Sequence, residues 1–417
     1  MNKRIVAFGF VLLSWQIGAA QDLVITNAHI IDGAGLTIER GAVVVADGRI
    51  ISVTDGSQNA KAPIAIDARG MTVMPGLINT HWHVLTGAYP TPSDEAIDRY
   101  IDDVIAGVFE SLLARGVTTI FSVADLFPNI VDLRQSLADG RMRGPRLLVV
   151  GPGFTAPGDW PTPLCRGNRD CAAKAMVQLT NAQQARAKVR EVAAAGVDAL
   201  KLYYDDQIVP AVRIDDAVVA AIADEAQLHD LTVFAHVSTV DETALRLVEL
   251  GVRGLVHPVP FRSAESVNGA KILRDLNIPV ATTISVRSQE WREFAGLGYN
   301  EQDHAAFEKR LKDLRHLWDE GVTVAFGTDT TTRQGGYEER FWAEARALNR
   351  VLSNQELITS MTRNAAVFVG RGDELGTLEP GKIADMILID GDPLVDISHL
   401  SRVEVVVQAG RIVLDDR

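Results

Sequence analysis

Apolar, β-branched runs recur along this chain, and stretches with helical spacing lie between them. Eight runs read as strands: 77–83, 117–123, 146–151, 198–204, 231–236, 254–258, 278–284 and 322–328. Residues 182–195, 215–228 and 303–320 read as helices. The last is the clearest, because Phe307, Leu311, Leu314 and Leu317 follow a three-to-four spacing. Strands alternating with helices predict parallel βα units. Eight such units predict a (β/α)8 TIM barrel, an α/β fold, over residues 75–370.

Both chain ends depart from that alternation. Residues 22–28 and 42–53 are strand-like, the second run broken by Asp47-Gly48, and residues 384–390 and 403–413 behave alike. Segments 21–74 and 371–417 are therefore expected to pair into one small β-sandwich domain. Residues 152–176, after the third barrel strand, are rich in Gly, Pro and Thr. A connection this long is expected to be a lid or substrate-shaping loop over the barrel mouth.

The first twenty residues read as a separate signal. Lys3 and Arg4 precede an apolar run from Ile5 to Trp15, and Gly18-Ala19-Ala20 offers a cleavage site. The run is shorter than the roughly 20 residues of a spanning helix. Export, to the periplasm or beyond, is the expectation. An oxidising compartment then favours a disulfide between Cys165 and Cys171, the two cysteines of the chain. A net charge of −13 argues against nucleic acid and anionic membranes as partners.

Candidate chemistry gathers at strand ends. His81 and His83 stand one residue apart at the end of the first barrel strand, and side chains at i and i+2 share a face. His236 ends the fifth strand, His257 the sixth, and Asp329 follows the eighth. Four of nine histidines at strand ends are hard to explain by packing. His29, His229, His304, His316 and His399 fall elsewhere and carry no such expectation. Lys201 lies within the fourth strand, where an unmodified ammonium is costly to bury. It either reaches the rim by its long stem or is carboxylated by CO2 into an anionic ligand. Tyr203 shares its side of the strand.

These pieces resemble the amidohydrolase superfamily, in its imidazolonepropionase-like and prolidase-like branch. The matching residues are Pro75-Gly76-Leu77-Ile78 before His81-Trp82-His83, then Lys201, His236, His257 and Gly327-Thr328-Asp329. Thr362-Arg363-Asn364-Ala365-Ala366 and the stretch from Gly376 to Asp385 add to the likeness as structural marks. The resemblance implies two divalent cations, usually zinc. His81, His83, Lys201 and Asp329 would hold one; carboxylated Lys201, His236 and His257 would hold the other. A bridging hydroxide would be the nucleophile, with Asp329 moving its proton to the leaving nitrogen and Tyr203 reaching substrate or carbamate. Many relatives have His-Gly after the sixth strand. Here Pro258 follows His257, so the loop shape is expected to differ.

The resemblance further implies a homo-oligomeric hydrolase of small-molecule amides. Dipeptides and N-acyl amino acids with a free carboxylate are the expected class, ochratoxin-like amides included. Arg287, Arg333 and Arg340 are candidates to anchor that carboxylate. The alternatives are a lactonase or cyclic amidohydrolase, and a deaminase, although deaminase relatives usually lack the strand lysine. A non-catalytic metal-binding protein ranks last, because the full ligand set is retained.

Overall fold

The computed structural model describes residues 22–56, 62–88, 93–204, 212–237, 241–257, 267–294, 296–331 and 336–417. The expected signal segment 1–20, Pro258 and Arg333 lie outside them. Among the described residues no helix is long and apolar enough to cross a membrane.

The N-terminal strands are β1 (Leu23–Ile31), β2 (Thr37–Ala46), β3 (Arg49–Asp55), β4 (Ile64–Asp67) and β5 (Thr72–Pro75). The central strands begin with β6 (Leu77–His83), β7 (Val117–Ser122), β8 (Arg146–Val149), β9 (Gly153–Thr155), β10 (Met176–Gln178) and β11 (Ala199–Tyr203). They continue with β12 (Thr232–His236), β13 (Gly254–Val256), β14 (Val280–Ala281), β15 (Val324–Ala325) and β16 (Thr330–Thr331). The chain closes with β17 (Met386–Ile389), β18 (Val403–Gln408) and β19 (Arg411–Asp415).

Each of the eight sequence-derived barrel runs contains one of these strands, and the three expected helices form at Ala182–Ala194, Asp216–Gln227 and Glu301–Asp319. Asn181 and Asn300 cap two of them by accepting hydrogen bonds from backbone N–H groups of the first turn. The central strands make two parallel sheets, β10-β9-β11-β12-β13-β14-β15 and β16-β6-β7-β8. The fold is thus mixed α/β with parallel sheets. Single backbone bonds cross from one sheet to the other at two places. Asp198 N donates to Val149 O (2.7 Å), and Thr80 N donates to Phe326 O (3.0 Å).

The two chain ends share one eight-stranded sheet, ordered β19-β18-β17-β5-β1-β2-β3 with β4 on β1. A sandwich was expected here. Within this one sheet β5 pairs with β1 on one side and with β17 on the other, so the ends join edge to edge. The segment 152–176 also differs from a plain loop. It holds β9, a helix at Arg169–Ala175 and the Cys165–Cys171 disulfide, and β9 enters the parallel sheet beside β11. Gly153 makes that entry possible, since a Cβ there would stand 2.5 Å from the Tyr203 ring.

A cleft of about 1260 Å³ lies between the end-strand sheet and the central strands, lined in part by Arg134, Arg143 and Arg146. Arg134 is paired with Asp198 (3.0 Å) and Arg146 with Asp385 (3.1 Å), and Arg143 donates to Val413 O (2.7 Å). None of the metal-ligand candidates lines it.

The floor beneath the ligand-bearing strand ends is apolar. Phe234 (1% exposed) packs its ring 5.4 Å from Phe121 and 4.8 Å from Phe368. Phe368 belongs to the helix Arg363–Phe368, which Asn364 ties to the strands through Val324 O (3.1 Å). Phe234→Ala should cost about 3–5 kcal/mol through the cavity it leaves. A lower urea midpoint of the metal-free chain would show it; an unchanged midpoint would contradict this packing.

Candidate metal centre

His81 and His83 come together with Asp329 because Gly327 lets the eighth strand end approach the first. A Cβ on Gly327 would lie 2.8 Å from Thr80 Oγ1 and 3.1 Å from His81 Cβ. Asn79 and Thr328 lock the two ends: Asn79 Nδ2 donates to Thr328 Oγ1 (2.9 Å), and Asp329 N donates to His81 O (3.0 Å). Asp329 itself adopts a left-handed φ of 51°, a strained conformation for a non-glycine residue.

Three ligand atoms then converge. His81 Nε2, His83 Nε2 and Asp329 Oδ1 are each 3.3 Å from the other two. Two atoms bonded to a tetrahedral zinc at about 2.0 Å stand about 3.3 Å apart. The donor set therefore fits a divalent cation without rearrangement. Burial and the nearby Lys201 charge push the His81 imidazole down to about 3, so it is neutral, as a ligand must be. Burial alone would raise the Asp329 carboxyl, but hydrogen bonding to His81 and His83 outweighs it and holds it well below the usual range.

A second pair lies alongside. The register aligns His236 with Tyr203 and with Val256, the residue before His257. His257 Nε2 and His236 Nδ1 face each other at 2.8 Å, and the His81 and His257 ring centroids are 5.3 Å apart. The 2.8 Å separation is that of a hydrogen bond. Holding one cation between these nitrogens requires the rings to part by about half an ångström. Thr283 Oγ1 lies 2.6 Å from His257 Nδ1 and orients its ring.

Lys201 sits between the two groups in β11. It has no exposed surface, and its Nζ has no hydrogen-bond partner among the described residues. The expectation of a stem reaching the rim therefore fails, because the amine is enclosed. Burial pushes the amine down to about 7, a fall partly opposed by the Asp329 charge. Nζ stands 5.3 Å from the centroid of the Tyr203 ring, which is itself 5.3 Å from the His236 ring. Burial pushes the Tyr203 phenol up, so it keeps its proton.

Two of the arginine candidates are described. Arg287 is exposed at the end of the turn Ile284–Arg287. Arg340 is not a carboxylate anchor: it is 3% exposed, its Nε donates to Thr328 O (2.9 Å), and its guanidinium lies 4.0 Å from the Trp291 ring centroid. Its donors are committed to the protein's own backbone.

Sequence reasoning passed over Asp125. This fully buried carboxylate accepts from Val84 N (2.6 Å), Leu85 N (2.8 Å) and Ser122 Oγ (2.5 Å). It fixes the chain that leaves His83. Its position just past β7 was the available signal, an acid at the end of an apolar strand.

The family model for amidohydrolases matches residues 72–413. The chain belongs to the amidohydrolase family. This amidohydrolase is similar to the imidazolonepropionase of Caldanaerobacter subterraneus subsp. tengcongensis, 23% identical over 374 residues, which are 86% of this chain and 85% of that protein. It is also similar to the 5'-deoxyadenosine deaminase of Methanothermobacter thermautotrophicus, 22% identical over 405 residues, with 89% and 85% covered. Among solved structures it resembles a prolidase complexed with N-methylphosphonate-L-proline, at 27% identity and a TM-score of 0.76, covering 94% of this chain and 99% of that one.

Asp125→Asn replaces one acceptor oxygen by an NH2 that faces a donor. It should cost about 1–3 kcal/mol, seen as a lower melting temperature of the metal-free amidohydrolase. A melting temperature at or above that of the unmodified chain would remove Asp125 from this role.

Proposed function

We propose that this amidohydrolase is a binuclear metal-dependent hydrolase of small-molecule amides. Dipeptides and N-acyl amino acids with a free carboxylate are its substrates, and ochratoxin-like amides belong to the same class. The observation that carries the reading is Lys201 Nζ, buried without a hydrogen-bond partner among the described residues and within electrostatic reach of His81, Asp329 and His257. An ordinary structural lysine would not be left so. An amine held near pH 7 has a large neutral fraction at neutral pH, which is the form that adds CO2.

In this reading His81, His83, Asp329 and carboxylated Lys201 would hold one zinc ion, and His236 and His257, with Lys201, would hold the other. Such ions, when bound, polarise a carbonyl and bring the pKa of water near neutrality. Asp329, ionised in this setting, takes the proton of the attacking water and passes it to the leaving nitrogen. Tyr203, still protonated, can donate its O–H to the substrate carbonyl or the carbamate. The apolar strands beneath keep bulk water from reaching the site from below.

Closure of the two parallel sheets into one (β/α)8 barrel belongs to the same reading, supported by the backbone bonds that cross both sheet boundaries. So does a folding of the end-strand sheet into a sandwich. Export and self-association complete it. A second reading, cyclic-amide hydrolysis, is favoured by the similarity to an imidazolonepropionase.

A hydrolysis screen on zinc-loaded protein lacking residues 1–20 separates the readings. Cleavage of dipeptides or N-acyl amino acids supports the first. Cleavage of cyclic amides or lactones alone replaces it with the second. On the best substrate, Lys201→Ala should lower kcat/KM on the order of 10³-fold and lose zinc at the same time. A variant with full activity and two ions per chain would exclude Lys201 as a shared ligand.

A further inference from the structure

The helix Tyr337–Asn349 carries two buried charges one turn apart, Arg340 and Glu344. Residues four apart share a helix face, and this face meets both groups of ligands. Arg340 donates to Thr328 O and to Asp329 O (3.4 Å), the backbone that presents the Asp329 carboxylate. Glu344 has no exposed surface and accepts from Ile284 N (3.0 Å) and Ser285 N (2.6 Å). Those residues open the turn Ile284–Arg287 directly after Thr283, whose hydroxyl orients His257. Thr283, like Asp329, is left-handed, with φ of 47°.

We propose that Arg340 and Glu344 are positioning residues that hold the two metal half-sites separately from one helix. Arg340 acts on the His81–His83–Asp329 site through the Asp329 backbone. Glu344 acts on the His236–His257 site through Thr283. Plain helix packing would be served by apolar side chains. Each of these ions is costly to bury, and each directs its hydrogen bonds at backbone that bears or orients a ligand. Each supported segment also contains a left-handed residue that needs outside support.

The proposal rests on the two-ion reading, and zinc retention tests it apart from turnover. Purified variants are dialysed at buffered free zinc and their ion content measured, alongside the melting temperature of the metal-free chain. Glu344→Gln, which loses one acceptor oxygen, should weaken one ion about tenfold and leave the other unchanged. Arg340→Met, which keeps an apolar stem, should weaken the other ion by a similar factor. Combined, the two losses should multiply. Glu344→Gln added to Thr283→Val should change affinity less than twofold further, since both act along one path.

Arg340→Lys keeps a buried cation and guards against misfolding of Arg340→Met; it should fall between that variant and the unmodified chain. Equal weakening of both ions by either single variant would overturn the proposal. So would full multiplication of Glu344→Gln with Thr283→Val. An unmodified chain that saturates at one ion contradicts the two-ion reading; Arg340→Met must still weaken that ion, and failure to do so overturns Arg340's role.

Discussion

Lys201 has given up its water and, among the described residues, has gained no hydrogen bond in return. Around its amine stand His81, Asp329 and His257, close enough that each shares in the local electrostatics. Burial drives protons off the neighbouring imidazoles, and the nearby Lys201 amine adds to the effect. His81 and His257 are accordingly neutral, each with a ring nitrogen turned toward the neighbouring candidate ligands in an enclosed space. A group that carries positive charge and accepts nitrogen lone pairs would lift the cost of this arrangement. Divalent cations with a carboxylated lysine meet both conditions.

Such a centre cannot hold its own shape. His257, Thr283, Asp329 and Ala124 all take left-handed backbone conformations at or beside the ligand-bearing strand ends. Each costs about 1–3 kcal/mol if unsupported. Buried charges stand beside two of them, Asp329 and Thr283, and a third holds the chain after His83. Asp125 collects the backbone N–H groups after His83, Arg340 caps the carbonyls of Thr328 and Asp329, and Glu344 collects the N–H groups after Thr283. The strand ladders position the ligands coarsely, and these charges set the final turns.

The cluster of His81, His83 and Asp329 was legible because strands have a strict period and these end in residues with metal chemistry. His81 and His83 announce a shared face; Lys201 announces a burial problem. Thr283 and Glu344 were not legible as parts of the site, and Asp125 offered only the weak signal of an acid just past an apolar strand. Asp125 and Glu344 take up backbone N–H groups of segments as far as 60 positions away, and Thr283 meets the His257 ring; a sequence pattern does not record which loop a side chain will face. Arg340 was noticed but assigned to substrate, since nothing in the sequence distinguishes an arginine aimed at solvent from one spent on a carbonyl. The chain ends were read as strands, and their edge-to-edge joining through β5 depends on long-range pairing that local propensity does not encode.

Anomalous diffraction at the zinc edge, on crystals of the zinc-loaded protein, addresses the centre most directly. The account predicts two peaks, one among His81, His83 and Asp329 and one between His236 and His257, with added density on Lys201 Nζ reaching both. A single peak with an unmodified, uncoordinated Lys201 would contradict it.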